Sequence, residues 1–135
     1  MPRENRSPTD PREWLIRARS NLLRARKDAR LRGVVLEDLC FDAQQAAEKA
    51  IKAVFLHRGQ AFPYVHDLGE LLSLLQQAGD AITSKVREAG RPTRYAVVTR
   101  YPGLAGSVAQ EEYQQAVKIA GAVVRWAEGR IKGRR

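Results

Sequence analysis

Apolar residues recur every three or four positions over most of the chain, a period that belongs to helices rather than strands. After Asp10-Pro11-Arg12-Glu13, the residues Trp14, Ala18, Leu22, Ala25 and Ala29 fall on one helical line. Asp10 can cap the free N–H groups, Pro11 suits a first helical position, and Glu13 stands where a capping box would close. Arg17, Arg19, Arg24, Arg26, Lys27 and Arg30 largely fill the other faces, and Gly33 predicts the stop. The first element is therefore a long, amphipathic, strongly basic helix.

A second helix is predicted from Leu36 to His57, with Gly59 as its stop. Its apolar line, Leu36, Leu39, Cys40, Ala43, Ala46, Ala47, Ala50, Val54 and Phe55, is dominated by alanine at the centre. Small side chains let a neighbouring helix come close, so this helix is expected to be the most buried. Gln44, Gln45, Glu48, Lys49 and Lys52 are assigned to its more exposed side. Phe62-Pro63-Tyr64-Val65 then reads as an extended connection.

Asp67 caps a third helix, with Glu70 at the capping-box position and Leu68, Leu71, Leu72 and Leu75 as its core stripe. Gly79 closes it. From Ala81 to Arg94 the pattern is less regular, with Ile82 and Val86 at helical spacing before Gly90 and Pro92 interrupt. A short apolar segment, Tyr95 to Arg100, follows, so this region is one kinked helix or two pieces. The last helix is placed from Ser107, with Gln110 completing a capping box and Tyr113, Ala116, Val117, Ala120, Val124, Ala127 and Ile131 facing inward.

Strand-like alternation, internal repeats and low-complexity linkers are all missing from the sequence. These elements predict an all-α, up-and-down bundle of four or five helices. Residues 1–9 read as a flexible N-terminus, 10–131 as one helical domain, and 132–135 as a basic tail.

The chain has 135 residues, enough to bury a single core without staples. Its one cysteine, Cys40, excludes an intramolecular disulfide framework, and two histidines make no familiar metal-ligand set. No cofactor is expected. No apolar run approaches the ~20 residues that span a bilayer. The polar N-terminus lacks a signal peptide's apolar core, so a cytoplasmic location is expected.

Charge is distributed unevenly. Residues 1–32 hold ten Lys/Arg against four Asp/Glu, and residues 118–135 hold six against one, while the middle is slightly acidic within a net +9. Two basic segments suggest an anionic partner, nucleic acid first. Solvated helix faces and a frayed tail would give the same count.

No glycine-rich phosphate loop with Lys-Ser/Thr, dinucleotide fingerprint or metalloprotease histidine pair is present. Cys40 lies on an apolar helix face, where thiols are inert. His66, immediately before the Asp67 cap, can hydrogen-bond across the connection and pin the third helix, or else move protons. His57 closes the second helix, where a cation complements the dipole. Tyr64, Tyr95 and Tyr101 with Arg94 and Arg100 mix phenol and guanidinium groups, which can grip phosphates and stack on bases or simply line helix contacts. Arg100-Tyr101-Pro102-Gly103 puts a permanent cation where an apolar run meets a backbone break. A carboxylate such as Glu111 or Glu112 could be its partner.

Three stretches together resemble the HEPN domain family of small nucleotide-binding helical proteins: residues 43–53 (Ala-Gln-Gln-Ala-Ala-Glu-Lys-Ala-Ile-Lys-Ala), His66-Asp67-Leu68, and Arg100-Tyr101-Pro102. Glu111-Glu112 followed by Ala116 and Ala120 fits too, and the resemblance spans about residues 10–131. It implies a bundle that dimerises, made beside a minimal nucleotidyltransferase partner in toxin–antitoxin-like pairs. It also implies, for active members, metal-independent RNase chemistry from an Arg followed after four to six residues by His. In that pair His moves a proton and Arg stabilises the charged phosphate. Here Arg100 matches the Arg, but Ala105, Gly106 and Ser107 occupy the positions where His would follow. The expectation is therefore a homodimer that binds RNA or nucleotide through Arg100, Tyr101, Arg94 and Tyr95 without cleaving it. The alternatives are an RNase recruiting His66 or His57, and a purely structural partner-binding module.

Overall fold

The computed structural model describes residues 7–27, 32–91 and 108–132. The apolar segment 95–100 and the chain ends at 1–6 and 133–135 lie outside the described residues. In the described stretches the chain is helical: α1 (Pro11–Lys27), α2 (Leu36–His57), α3 (Leu68–Gln77), the single turn α4 (Ser84–Arg87) continued by a 3-10 turn (Glu88–Gly90), and α5 (Gln110–Lys132). The all-helical bundle expected from the apolar spacing is what forms, and no strand occurs among the described residues.

The helix starts show how local chemistry sets the boundaries. Asp10 accepts from the Arg12 N–H at 2.9 Å and opens α1. The Asp10 N–H donates to the Ser7 carbonyl, and Glu13 turns inward, 3.5 Å from Arg17. Asp67 caps α3 by accepting from the Glu70 N–H, and Thr83 caps α4 by accepting from the Val86 N–H. α5 begins at Gln110, later than the spacing suggests, and Glu112 rather than Gln110 reaches back to the Ala109 N–H at 2.9 Å. Ser107 lies outside the described residues. At the stops after α2 and α3, Gly59 and Gly79 take positive φ of 78° and 109°, where a side chain would be strained.

α2 is the central helix and packs against both α1 and α5. Its alanines are buried in the core, and six consecutive residues from Ala50 to Phe55 are buried, so this part is enclosed on every side. Two polar ties fix its neighbours. Asn21, buried in α1, donates to Asp42 and accepts from Lys49, both on α2. Tyr113 of α5 donates its hydroxyl to the Ala25 carbonyl of α1 at 2.6 Å. Burial raises the Tyr113 phenol's pKa, with Cys40 adding to the shift and Arg26 opposing it.

The start of α3 meets the 3-10 turn backbone to backbone. A Cβ added to Gly90 would lie 2.7 Å from the Gly69 Cα, whereas one added to Gly129 in α5 would meet nothing within 4 Å. Gly90→Ala should therefore lower stability by about 1–3 kcal/mol through overpacking against backbone. Gly129→Ala should raise it by up to ~1 kcal/mol through helix propensity. Urea unfolding of both variants checks the contrast, and equal shifts would contradict it.

Candidate functional site: a shared carboxylate beneath the α2–α3 connection

Glu48 and Lys52 are one helical turn apart on α2, where i,i+4 side chains meet. Placed on the exposed side by their position opposite the alanine line, they are in fact buried, at 6% and 7% exposure. The connection between α2 and α3 covers them. Phe62 lies over Lys52, with Nζ 4.9 Å from the ring centroid, and Trp14 of α1 packs edge-on against Phe62 with centroids 5.1 Å apart. An ion pair tolerates such burial only when each charge has a close partner. Lys52 Nζ donates to Glu48 Oε2 at 2.7 Å, within that requirement.

The same oxygen takes a second contact. His66 Nδ1 lies 2.9 Å from Glu48 Oε2. A carboxylate oxygen accepts, so the ring donates from Nδ1 and, when neutral, keeps Nε2 as an acceptor on its outer side. The His66 side chain is 73% exposed, against 7% for Glu48. An oriented imidazole thus stands at the surface, backed by a buried acid. Tyr64, two residues earlier, is fully exposed. The expected contact of His66 across the connection is present, and its partner on α2 is a residue that helical spacing puts on the wrong side. The signal in the sequence is an Ala-rich run flanking a Glu/Lys pair at i,i+4, because little exposed face remains between such neighbours.

His57 is not part of this cluster. It follows Glu48 by nine residues, or about 14 Å of helix rise, at the far end of α2. There it lines an open cleft of about 380 Å³ with Val54, Arg58, Asp80 and Arg130. Asp80 is buried and pairs with Arg58 at 3.1 Å and Arg130 at 2.5 Å. Arg58 also donates to the Ala78 carbonyl. These cations sit at the carbonyl ends of α2, α3 and α5, where helix dipoles favour positive charge. Among the described residues, no three His, Cys, Asp or Glu side chains gather as metal ligands. No helix there is long and apolar enough to cross a membrane.

A second polar cluster, Asn21 and Arg24 with Asp42 and Lys49, lies between α1 and α2. Burial, then the nearby Arg24 and Arg17, pulls the Lys49 ammonium below the usual lysine range, with Asp42 and Glu48 opposing the shift. Arg94, Tyr95, Arg100 and Tyr101 lie outside the described residues, in the stretch between Arg91 and Val108.

Residues 11–130 match the HEPN domain, and the chain belongs to that family. In structure it is similar to TT1696 from Thermus thermophilus, with 29% identity and a TM-score of 0.73, covering 90% of this chain and 98% of that one. It is also similar to ST0689, an archaeal HEPN homologue, with 23% identity and a TM-score of 0.68, covering 90% and 97%. The second likeness shows the fold alone. No curated protein sequence matches the chain.

Removing one member of the enclosed pair should be costly. Glu48→Ala leaves the Lys52 charge buried without its partner and should cost about 3–5 kcal/mol. His66→Ala, at an exposed partner, should cost under ~1 kcal/mol. Chemical denaturation distinguishes these, and comparable small losses for both would contradict the enclosed pair.

Proposed function

We propose that this HEPN protein binds RNA or nucleotide phosphate as a homodimer, beside a minimal nucleotidyltransferase in a toxin–antitoxin-like pair, and does not cleave RNA. One observation carries the reading: Arg100 is followed by Ala105, Gly106 and Ser107 where the RNase signature needs an imidazole. The cation that grips a phosphate is retained while the group that would move the proton is replaced. Two further features support it. Arg26 and Lys27 near the end of α1 and Lys132 at the end of α5 are exposed, whereas Arg24 and Arg130 pair with Asp42 and Asp80. Exposed basic side chains on two helices supply long-range attraction for a polyanion.

One contact favours a second reading, a metal-independent RNase with a displaced histidine. His66, held by Glu48 with its outer nitrogen toward solvent, has the arrangement of an acid-backed general base. No such backing serves His57 among the described residues.

Incubation of single-stranded RNA with the protein in chelator separates the readings, with binding and cleavage both followed. The binding reading expects salt-sensitive binding, intact RNA, and affinity reduced roughly tenfold, or about 1.4 kcal/mol, by Arg100→Ala. Binding indifferent to salt and to Arg100 overturns it. Cleavage abolished by His66→Ala would establish the second reading, and cleavage surviving that change would dismiss it.

A further inference from the structure

Where α1 and α5 pack together, two guanidiniums meet that no carboxylate among the described residues pairs with. Arg26 and Arg125 converge over Gly121, which is buried in α5. A Cβ added there would lie 2.8 Å from Arg26 Nη2 and 3.4 Å from Arg125 Nη1, so both nitrogens share one small space above the glycine backbone. Arg26 and Arg125 are exposed, and among the described residues neither makes a hydrogen bond or ion pair. Glu128, the acid one turn beyond Arg125, is already taken by Arg19 at 2.5 Å. Lys118 stands two turns before Arg125 on the same flank, exposed.

Arg125 reaches this space as the i+4 neighbour of Gly121, while Arg26 arrives from α1, and no carboxylate among the described residues pairs with either cation. A phosphate there would offset their mutual repulsion. Guanidinium presents planar N–H donors that match phosphate oxygens, and two together surround one group from opposite helices. Glycine supplies the room, since any side chain at 121 would push the end of Arg26 aside. The geometry points to a phosphate clasp made by Arg26 and Arg125 over Gly121, which takes a backbone phosphate of single-stranded RNA. This rests on the RNA-binding reading above and adds a surface formed by α1 and α5, away from Arg100 in sequence.

The clasp separates from simple net charge in one variant. Gly121→Ala keeps every charge and favours the helix, yet it should split the clasp. The experiment measures binding of a mixed-sequence 15-nucleotide RNA by fluorescence anisotropy over a salt series. Inorganic pyrophosphate is titrated in parallel while the arginine Nε–H signals are followed by NMR.

Arg26→Gln and Arg125→Gln should each weaken RNA binding roughly tenfold and reduce the salt slope by about one. Gly121→Ala should weaken it severalfold without lowering Tm, while Arg87→Gln, which removes the same charge elsewhere, should change affinity little. Pyrophosphate should shift the Arg26 and Arg125 signals in the wild type and not in Gly121→Ala. If the wild type binds RNA but the three clasp variants bind it equally well, the clasp is wrong and the RNA reading stands. If pyrophosphate shifts both arginines but RNA does not bind, the phosphate site stands and the RNA reading fails. Neither RNA binding nor pyrophosphate shifts would overturn both.

Discussion

Glu48 Oε2 is the atom on which the ordering of this bundle most depends. It accepts from Lys52 within α2 and from His66 in the connection that leads to α3. Phe62, backed by Trp14, covers the Lys52 side of the pair, and the exposed His66 ring stands on the other. A buried pair of this kind adds little net stability over an apolar one, but it is unforgiving of misplacement. The covering connection must therefore take one course over α2. Asp67 follows His66 directly, so the tether also sets where the α3 cap begins.

From that anchor the remaining packing follows from side-chain size. Alanines on α2 admit α1 and α5 closely, while Asn21 and Tyr113 add directional ties that a smooth alanine surface would lack. The ends of the bundle are treated differently. Cations gather with Asp80 where helices finish, which satisfies both the dipoles and one buried carboxylate. On the α1–α5 flank, Arg19 is taken by Glu128, while Arg26 and Arg125 have no acid partner among the described residues. Cations of the first kind hold the fold together, whereas those of the second are available to a ligand. This distinction, rather than the net charge of +9, gives the basic composition a functional meaning.

Much of the fold is legible in the sequence because it is local. The span of α2, the Asp67 cap and the glycine stops each depend on neighbours within a few residues, and the periodicity places them directly. Glu48 and Lys52 escape such a reading because their burial comes from Phe62 and Trp14, ten or more residues away, and helical spacing cannot register a covering loop. The start of α5 differs from expectation for a local reason. Two acids, Glu111 and Glu112, compete with Gln110 for the capping role, and the charged acceptor prevails. The clasp is invisible in the sequence for another reason. Arg26 and Arg125 are ordinary surface arginines until the α1–α5 packing brings both over a glycine nearly a hundred residues from the first.

The tautomer of His66 tests the anchor most directly. A long-range nitrogen–proton correlation spectrum of its ring, taken at a pH where imidazole is neutral, reports which nitrogen carries the proton. With Glu48 as the acceptor, the wild type should show the Nδ1–H form, reverting toward Nε2–H in Glu48→Ala samples that remain folded. A wild-type ring already in the Nε2–H form would contradict the anchor, since Nδ1 would then have no proton to give to Glu48.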